Sequence, residues 1–312
     1  MKIFFLGALA LCLIAGMIGG TQTSEPFLLK PLDHGAWAAI DNPAAKADES
    51  GANAGFVAGS DAVLVVDTFE NPAAAQKLLA VIRQKTTVPV RFVVNTHYHL
   101  DHVAGNGVFA AAGATVLAQQ NVRRWERTEN MKFFDDKITA EQRSSVDALR
   151  LPDVTYTEGV TLYLGGSREV LLRAFPGHTG GDTVVYDPES NVVFCGDLFW
   201  NRTLPNLIDA STREWIETLD TLVKDYPSAT FVPGHGDNAG KAGDVQTFRD
   251  YLLFLRAGIA KAQAEGDNSD AVLKAVLLQV KAKYGDWAFP EFAAPGIQRT
   301  DEELRGVKRL PR

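Results

Sequence analysis

The sequence predicts an α/β fold with one large domain, and three observations carry that expectation. Apolar runs rich in β-branched and aromatic residues recur along the chain, at Val90–Val94, 192–194 and 231–232 and within 154–175, each bounded by glycine or turn residues. Between and after them lie stretches with apolar residues at helical spacing, at 72–84 and 211–223 and twice more beyond 243. The hydrophobic content, 46% of 312 residues, is enough to bury a sizeable core around such elements.

Met1 and Lys2 precede the apolar run 3–16, with Gly19 and Gly20 at a plausible cleavage point, so residues 1–20 read as a secretory signal. The expectation is export, to the periplasm or outside the cell; the alternative is an uncleaved N-terminal anchor, for which the run is short. Cys12 has no small residue immediately before it, which disfavours a lipoprotein signal, and removal of the segment leaves Cys195 as the only thiol. A net charge of −7 supplies no basic footprint for nucleic acid. A small molecule is the expected partner, with no membrane contact once the signal is gone.

Residues 21–54, rich in Ala, Asp, Asn and Pro, form an N-terminal lead-in with an edge hairpin. The core domain then spans 55–240. Two strands, 56–58 and 62–66, flank the turn Gly59-Ser60-Asp61, and Asp67 ends the second. Asn71-Pro72 opens a helix running to about Gln84, with Leu78, Leu79, Val81 and Ile82 on its inner side. After a strand at 114–118, the charged stretch 121–150 reads as helical, crossing above whatever the strand ends hold. Its aromatic residues Trp125, Phe133 and Phe134 are expected to pack in the ordinary way rather than line a cleft. Strands at 154–175 open the second half of the sheet structure, turning at Glu158-Gly159 and Gly165-Gly166-Ser167. Trp215, Leu219, Leu222 and Val223 mark an amphipathic helix capped by Ser211 or Thr212 with Glu214 in its first turn. Residues 241–312 supply two helices packed on the same domain and a polar tail, 289–312, expected to be poorly anchored.

The chemistry is concentrated in Asn95-Thr96-His97-Tyr98-His99-Leu100-Asp101-His102, three imidazoles and a carboxylate directly after a buried strand. Strand carboxyl ends are where α/β sheets place their ligands. Of the six histidines, His178 and His235 also follow apolar runs and stand beside glycine, and Asp197 ends a third such run in Gly196-Asp197. Neutral imidazoles with carboxylates are ligands for zinc, and for iron or manganese as well. His34, in Asp33-His34-Gly35 with no companion ligand, reads as structural or exposed.

His-x-His-x-Asp-His, then Gly-His, Gly-Asp and Pro-Gly-His, in this order, resemble the metallo-β-lactamase superfamily over about 55–236. The resemblance implies a four-layer αβ/βα sandwich of two mixed sheets flanked by helices, with the site at one edge. It implies two Zn2+ per chain, one held by His97, His99 and His178, the other by Asp101, His102 and His235, with Asp197 between them. Cys195 competes for that bridging place, since residues two apart share a face of a strand. Asp67 is assigned a supporting role behind the ligands, with a turn or helix-cap carboxylate as the alternative. Arg202, just past the bridge, is the candidate to grip a substrate carboxylate, against a plain surface arginine.

A pair of cations bridging a water lowers its pKa from about 15.7 toward about 7. The expected activity is therefore hydrolysis by a metal-bridging hydroxide, with Asp101 as the catalytic group that orients it and shuttles its proton. The most favoured bond is a cyclic amide or ester, a β-lactam or lactone. The alternatives are a thioester hydrolase resembling glyoxalase II and a non-hydrolytic iron protein, an oxygenase or electron carrier.

Overall fold

The computed structural model describes residues 25–48, 50–134 and 137–311; the expected secretory signal lies outside them. Seven strands make one sheet: β1 (Phe27–Pro31), β2 (Ala36–Asp41), β3 (Ala54–Ala58), β4 (Val63–Val66), β5 (Val90–Val94), β6 (Thr115–Gln119) and β7 (Val154–Tyr156) lie side by side in chain order. The first four pair antiparallel and the rest parallel. Five strands make the other: β8 (Gly159–Tyr163), β9 (Glu169–Ala174), β10 (Thr183–Asp187), β11 (Val192–Trp200) and β12 (Thr230–His235), antiparallel up to the parallel β11–β12 pair.

Alternation along the strands builds the layers. In β4, Val63 and Val65 face outward onto α1 (Pro72–Lys85), while Leu64 and Val66 face inward to the second sheet. Val185, Phe194 and Val232 answer from the opposing sheet, and its other face, Val193 and Phe231 among others, receives the helices α6 (Thr212–Asp225), α7 (Ala242–Ala264) and α8 (Ser269–Tyr284). Because both faces of each sheet are covered, the central strands read as continuous apolar runs. Burying each such Val or Leu contributes about 1.5–3 kcal/mol. The result is the expected αβ/βα sandwich.

Three expectations are corrected. Val154 does not open the second sheet: β7 pairs with β6, and the chain crosses between sheets only at Thr157-Glu158. The N-terminus of α6 makes no hydrogen bond with the Ser211 side chain; the Glu303 carboxylate accepts from Thr212 N at 3.0 Å and Arg213 N at 3.3 Å. Glu303 belongs to α9 (Ala293–Leu304), so the supposedly loose tail is anchored. Ala293 and Ile297 are buried on this helix, and buried Asp301 accepts hydrogen bonds from Gln263, Ser269 and Arg305. The apolar contacts of α9 are few and small, which is why its composition reads as polar. No helix among the described residues is long and apolar enough to cross a membrane.

Candidate metal centre

Both sheets send their strand ends to one edge. β5 leads into His97 and His99, and a short turn of helix, α2 (Leu100–Val103), carries Asp101 and His102. This turn is held from behind: the His102 carbonyl accepts from Thr68 N at 2.9 Å and Thr68 Oγ1 at 3.2 Å, and Asn95 and Asn106 join their amides reciprocally at 2.9 Å. His178 arrives on the loop before β10, Asp197 on β11 and His235 at the end of β12. Asn53 fixes that last loop, donating at 3.0 Å to both the Pro233 and Gly236 carbonyls.

Two groups of ligand atoms result, His97, His99, His178 and Asp197 in one, and Asp101, His102 and His235 in the other, each within 4.8 Å of one another. His99 Nδ1 lies 3.1 Å from His97 Nε2 and 3.0 Å from His178 Nε2. Tetrahedral donors around one zinc at its usual bond lengths stand about 3.3 Å apart, so the spacing fits. Asp197 divides its oxygens between the groups. Oδ2 is 3.2 Å from His178 Nε2 and 3.7 Å from His97 Nε2, while Oδ1 is 3.1 Å from His102 Nε2 and 3.4 Å from His235 Nε2. Asp101 Oδ2 completes the second group, 3.2 Å from His235 Nε2 and 3.6 Å from His102 Nε2.

Buried His102 Nε2 and Asp197 Oδ1 stand 3.1 Å apart, yet neither makes an aligned hydrogen bond, a costly arrangement that a cation would relieve. The protonation pattern points the same way. Burial holds His97 well below its ordinary value, helped by His102, and pulls His178 down to about 3. Against that same burial, Asp197 and Asp101 push His102 well up and His235 to about 9. Burial would raise the Asp197 carboxyl, but the four surrounding imidazoles hold it well below the usual range. The two carboxylates thus draw in positive charge, which a pair of cations would supply in place of protons. The donor set fits a metal-binding site.

The remaining assignments separate. Asp67 stands behind the ligands: its Oδ2 is 2.8 Å from His102 Nδ1, and it accepts from Thr96 N at 2.8 Å and Thr96 Oγ1 at 2.7 Å. Its backbone is left-handed, φ 60°, strain of the kind retained where a side chain must be aimed. Cys195 faces the opposite way, into the core under the helices, and burial pushes its thiol up. Strand alternation fails here because Gly196, at φ 50°, forms a bulge in the pairing with β12. A Cβ at Gly196 would stand 2.2 Å from Thr96 Oγ1, so only glycine allows the twist that turns Asp197 inward. Arg202 is mostly exposed and paired with Asp286, and His34 is exposed.

Sequence reasoning missed Asp209 and the aromatic wall. Asp209 Oδ2 accepts from the Tyr98 hydroxyl at 2.7 Å and lies 3.3 Å from His99 Nε2; although burial opposes it, His99 and Tyr98 hold its carboxyl below the usual range. It sits in a loop with no local pattern, and no signal marks it. Phe133 and Phe134, expected to pack ordinarily, border the cavity beside the cluster, because α4 (Gln120–Phe133) ends above it. Trp125 does pack, against Tyr98.

The family profile described as the metallo-beta-lactamase superfamily matches residues 47–235. The chain is 26% identical over 192 residues to a metallo-beta-lactamase type 2 from Bacteroides fragilis, covering 60% of this chain and 70% of that one. It is 27% identical over 180 residues to a hydroxyacylglutathione hydrolase from Cereibacter sphaeroides, where 56% of this chain spans 60% of the relative's length. Among solved structures, a metallo-beta-lactamase from Pontibacter korlensis superposes with a TM-score of 0.57 at 22% identity, over 73% of this chain and 99% of that one.

Proposed function

We propose, from the premise that this chain belongs to the metallo-beta-lactamase superfamily and is a metal-dependent hydrolase of it, that it holds two zinc ions and opens an amide or ester bond, most favourably a cyclic one such as a β-lactam or lactone. The observation that carries the reading is Asp197, with one carboxylate oxygen turned to each group of imidazoles. When bound, such a pair of cations supplies an acidified water and polarises the substrate carbonyl.

The chain's own residues divide the remaining work. Asp197 is almost wholly buried and acts as a fixed strut, whereas the Asp101 side chain is 26% exposed and is the carboxylate that substrate reaches. Asp101 therefore takes and passes the proton at its outer oxygen. Trp200 stacks on His235 with ring centroids 4.1 Å apart and keeps water from that side. Export through residues 1–20 remains part of the proposal, and a small molecule is the partner.

The relation to a hydroxyacylglutathione hydrolase supports one second reading, a thioester substrate. Both are tested together by measuring zinc per purified chain and screening nitrocefin, a γ-lactone and S-lactoylglutathione. Two zinc ions with turnover of the lactam or lactone is the expected result. Turnover of the thioester alone would replace the substrate class, and two zinc ions with no turnover of any would overturn the reading.

A further inference from the structure

We propose that the C-terminal segment is a working part of the metal centre, with Lys308 as a positioning residue that holds the loop aiming Asp209 at His99. The inference rests on the metal-site reading above and extends it beyond the ligands. Asp209 lies between β11 and α6, in a stretch, 204–210, outside helix and strand. Its carbonyls therefore need partners from elsewhere in the molecule. Three of them are met by cations from the end of the chain. Lys308 Nζ donates to the Leu207 carbonyl at 2.7 Å and to the Ala210 carbonyl at 2.5 Å, while Arg299 on α9 donates to the Ile208 carbonyl from Nε at 3.2 Å and Nη2 at 3.0 Å. The two Lys308 bonds straddle Asp209, and charge-assisted bonds of this kind are about twice as strong as neutral ones.

The stretch so held reaches two of the ligands. At its centre, Asp209 Oδ2 meets the Tyr98 hydroxyl and His99 Nε2, which leaves His99 Nδ1 turned toward His97 and His178. Just past its end, Ser211 N donates at 2.9 Å to the carbonyl of Gly177, the neighbour of His178. The loop has no other rigid support on this side, and α9 comes close enough that a Cβ on Gly296 would stand 3.2 Å from Leu207 Cδ1.

The charge on Lys308 matters more than its bulk. Burial, with Arg299, pulls its ammonium down to about 8, while Glu303, Asp209 and Glu302 hold it up, so it is charged at neutral pH. An uncharged side chain of the same length would cover the same surface without that desolvation, and would leave both carbonyls unmet. A segment whose composition reads as a polar tail thus supplies the donors that a metal-site loop lacks.

The test compares zinc affinity, read by competition with a chromophoric chelator, in the parent protein, Lys308→Met, Asp209→Asn and the double variant. Lys308→Met keeps the stem and loses the ammonium, and α9 stays anchored through Ile297, Asp301 and Glu303, so the fold survives. It is expected to weaken zinc binding by about tenfold, the lower end for losing the outer partner of a metal-bound imidazole. In the Asp209→Asn background the same change is expected to add less than about twofold, because one path is being cut twice. Arg305→Met frees the tail from Asp301 and the Asp267 carbonyl without touching 207–210, and is expected to bind zinc within about twofold of the parent. Unchanged affinity in Lys308→Met overturns the proposal, as does a full loss added on top of Asp209→Asn, or an equal loss in Arg305→Met. Amide exchange in the metal-free protein gives a second reading. Lys308→Met is expected to speed exchange at Ile208 and Ser211 by about tenfold, and unchanged exchange there overturns the proposal whether or not zinc binds. Failure of the parent to take up zinc counts against the metal reading alone, because exchange decides the role of Lys308 without it.

Discussion

Asp209 joins the Tyr98 hydroxyl to the ligand His99: its Oδ2 accepts from the phenol at 2.7 Å and lies 3.3 Å from His99 Nε2. Asp67 stands in the same relation to His102, 2.8 Å from Nδ1, so each proposed metal has a carboxylate fixing the tautomer of one of its imidazoles. Such partners typically set metal affinity by about 10–100-fold. Asp209→Asn is therefore expected to weaken zinc binding by about that factor, measured by competition with a chromophoric chelator, while Tyr98→Phe has a smaller effect in the same direction.

Chelation is expected to lower the melting temperature. The ligands come from both sheets, and cations bound only by the folded chain add stability as RT ln(1 + [L]/Kd), about 4 kcal/mol at a thousandfold excess over Kd. Calorimetry with and without EDTA, followed by addition of zinc, checks this. The expected result is a fall reversed by the metal.

Glu126 predicts a pH dependence away from the site. Both its carboxylate oxygens are buried without a hydrogen-bond partner, and burial, opposed by Arg127 and Arg123, pushes it from 4.5 up to about 8. Below about pH 4.5 it is protonated folded and unfolded, and the stability associated with its raised value is fully present. As pH rises toward 8 the unfolded chain releases the proton while the folded chain keeps it, so stability is lost across that window. Glu126→Gln removes this slope. Thermal melts from pH 5 to 8 are expected to fall more steeply in the parent protein, by on the order of 5 °C.

Arg202→Ala is expected to leave kcat/KM within about twofold for any substrate turned over. Its guanidinium is tied to Asp286 at the surface, and exposed pairs of this kind contribute about 0–1 kcal/mol. A large loss in kcat/KM with unchanged folding would restore the carboxylate-gripping role that its place in the sequence suggested.

What the sequence revealed was whatever repeats a local rule. His97, His99, Asp101 and His102 follow a strand within eight residues, and His178, Asp197 and His235 each stand by glycine after an apolar run, so motif and context agree even though β11 runs on past Asp197. The two-sheet sandwich came with the resemblance, and β-branched runs placed most strands. What stayed hidden depends on contacts across long separations. Asp209 meets Tyr98 over 111 positions, Glu303 caps a helix 91 positions earlier, and Phe289 reaches His235 from beyond two helices. Cys195 competes in the sequence because alternation, carried through Gly196, puts it on the same face as Asp197. A single residue in the left-handed region interrupts it, and period-two reasoning has no means of seeing that.

The chain passes from one sheet to the other once, at Thr157-Glu158, with His97, His99, Asp101 and His102 already laid down and His178, Asp197 and His235 still to come. A peptide bond cut there would sever no β-ladder, yet neither fragment would own a complete set of donors. During synthesis on the ribosome the nascent first half is thus a half-socket, and the full donor set awaits emergence of the second.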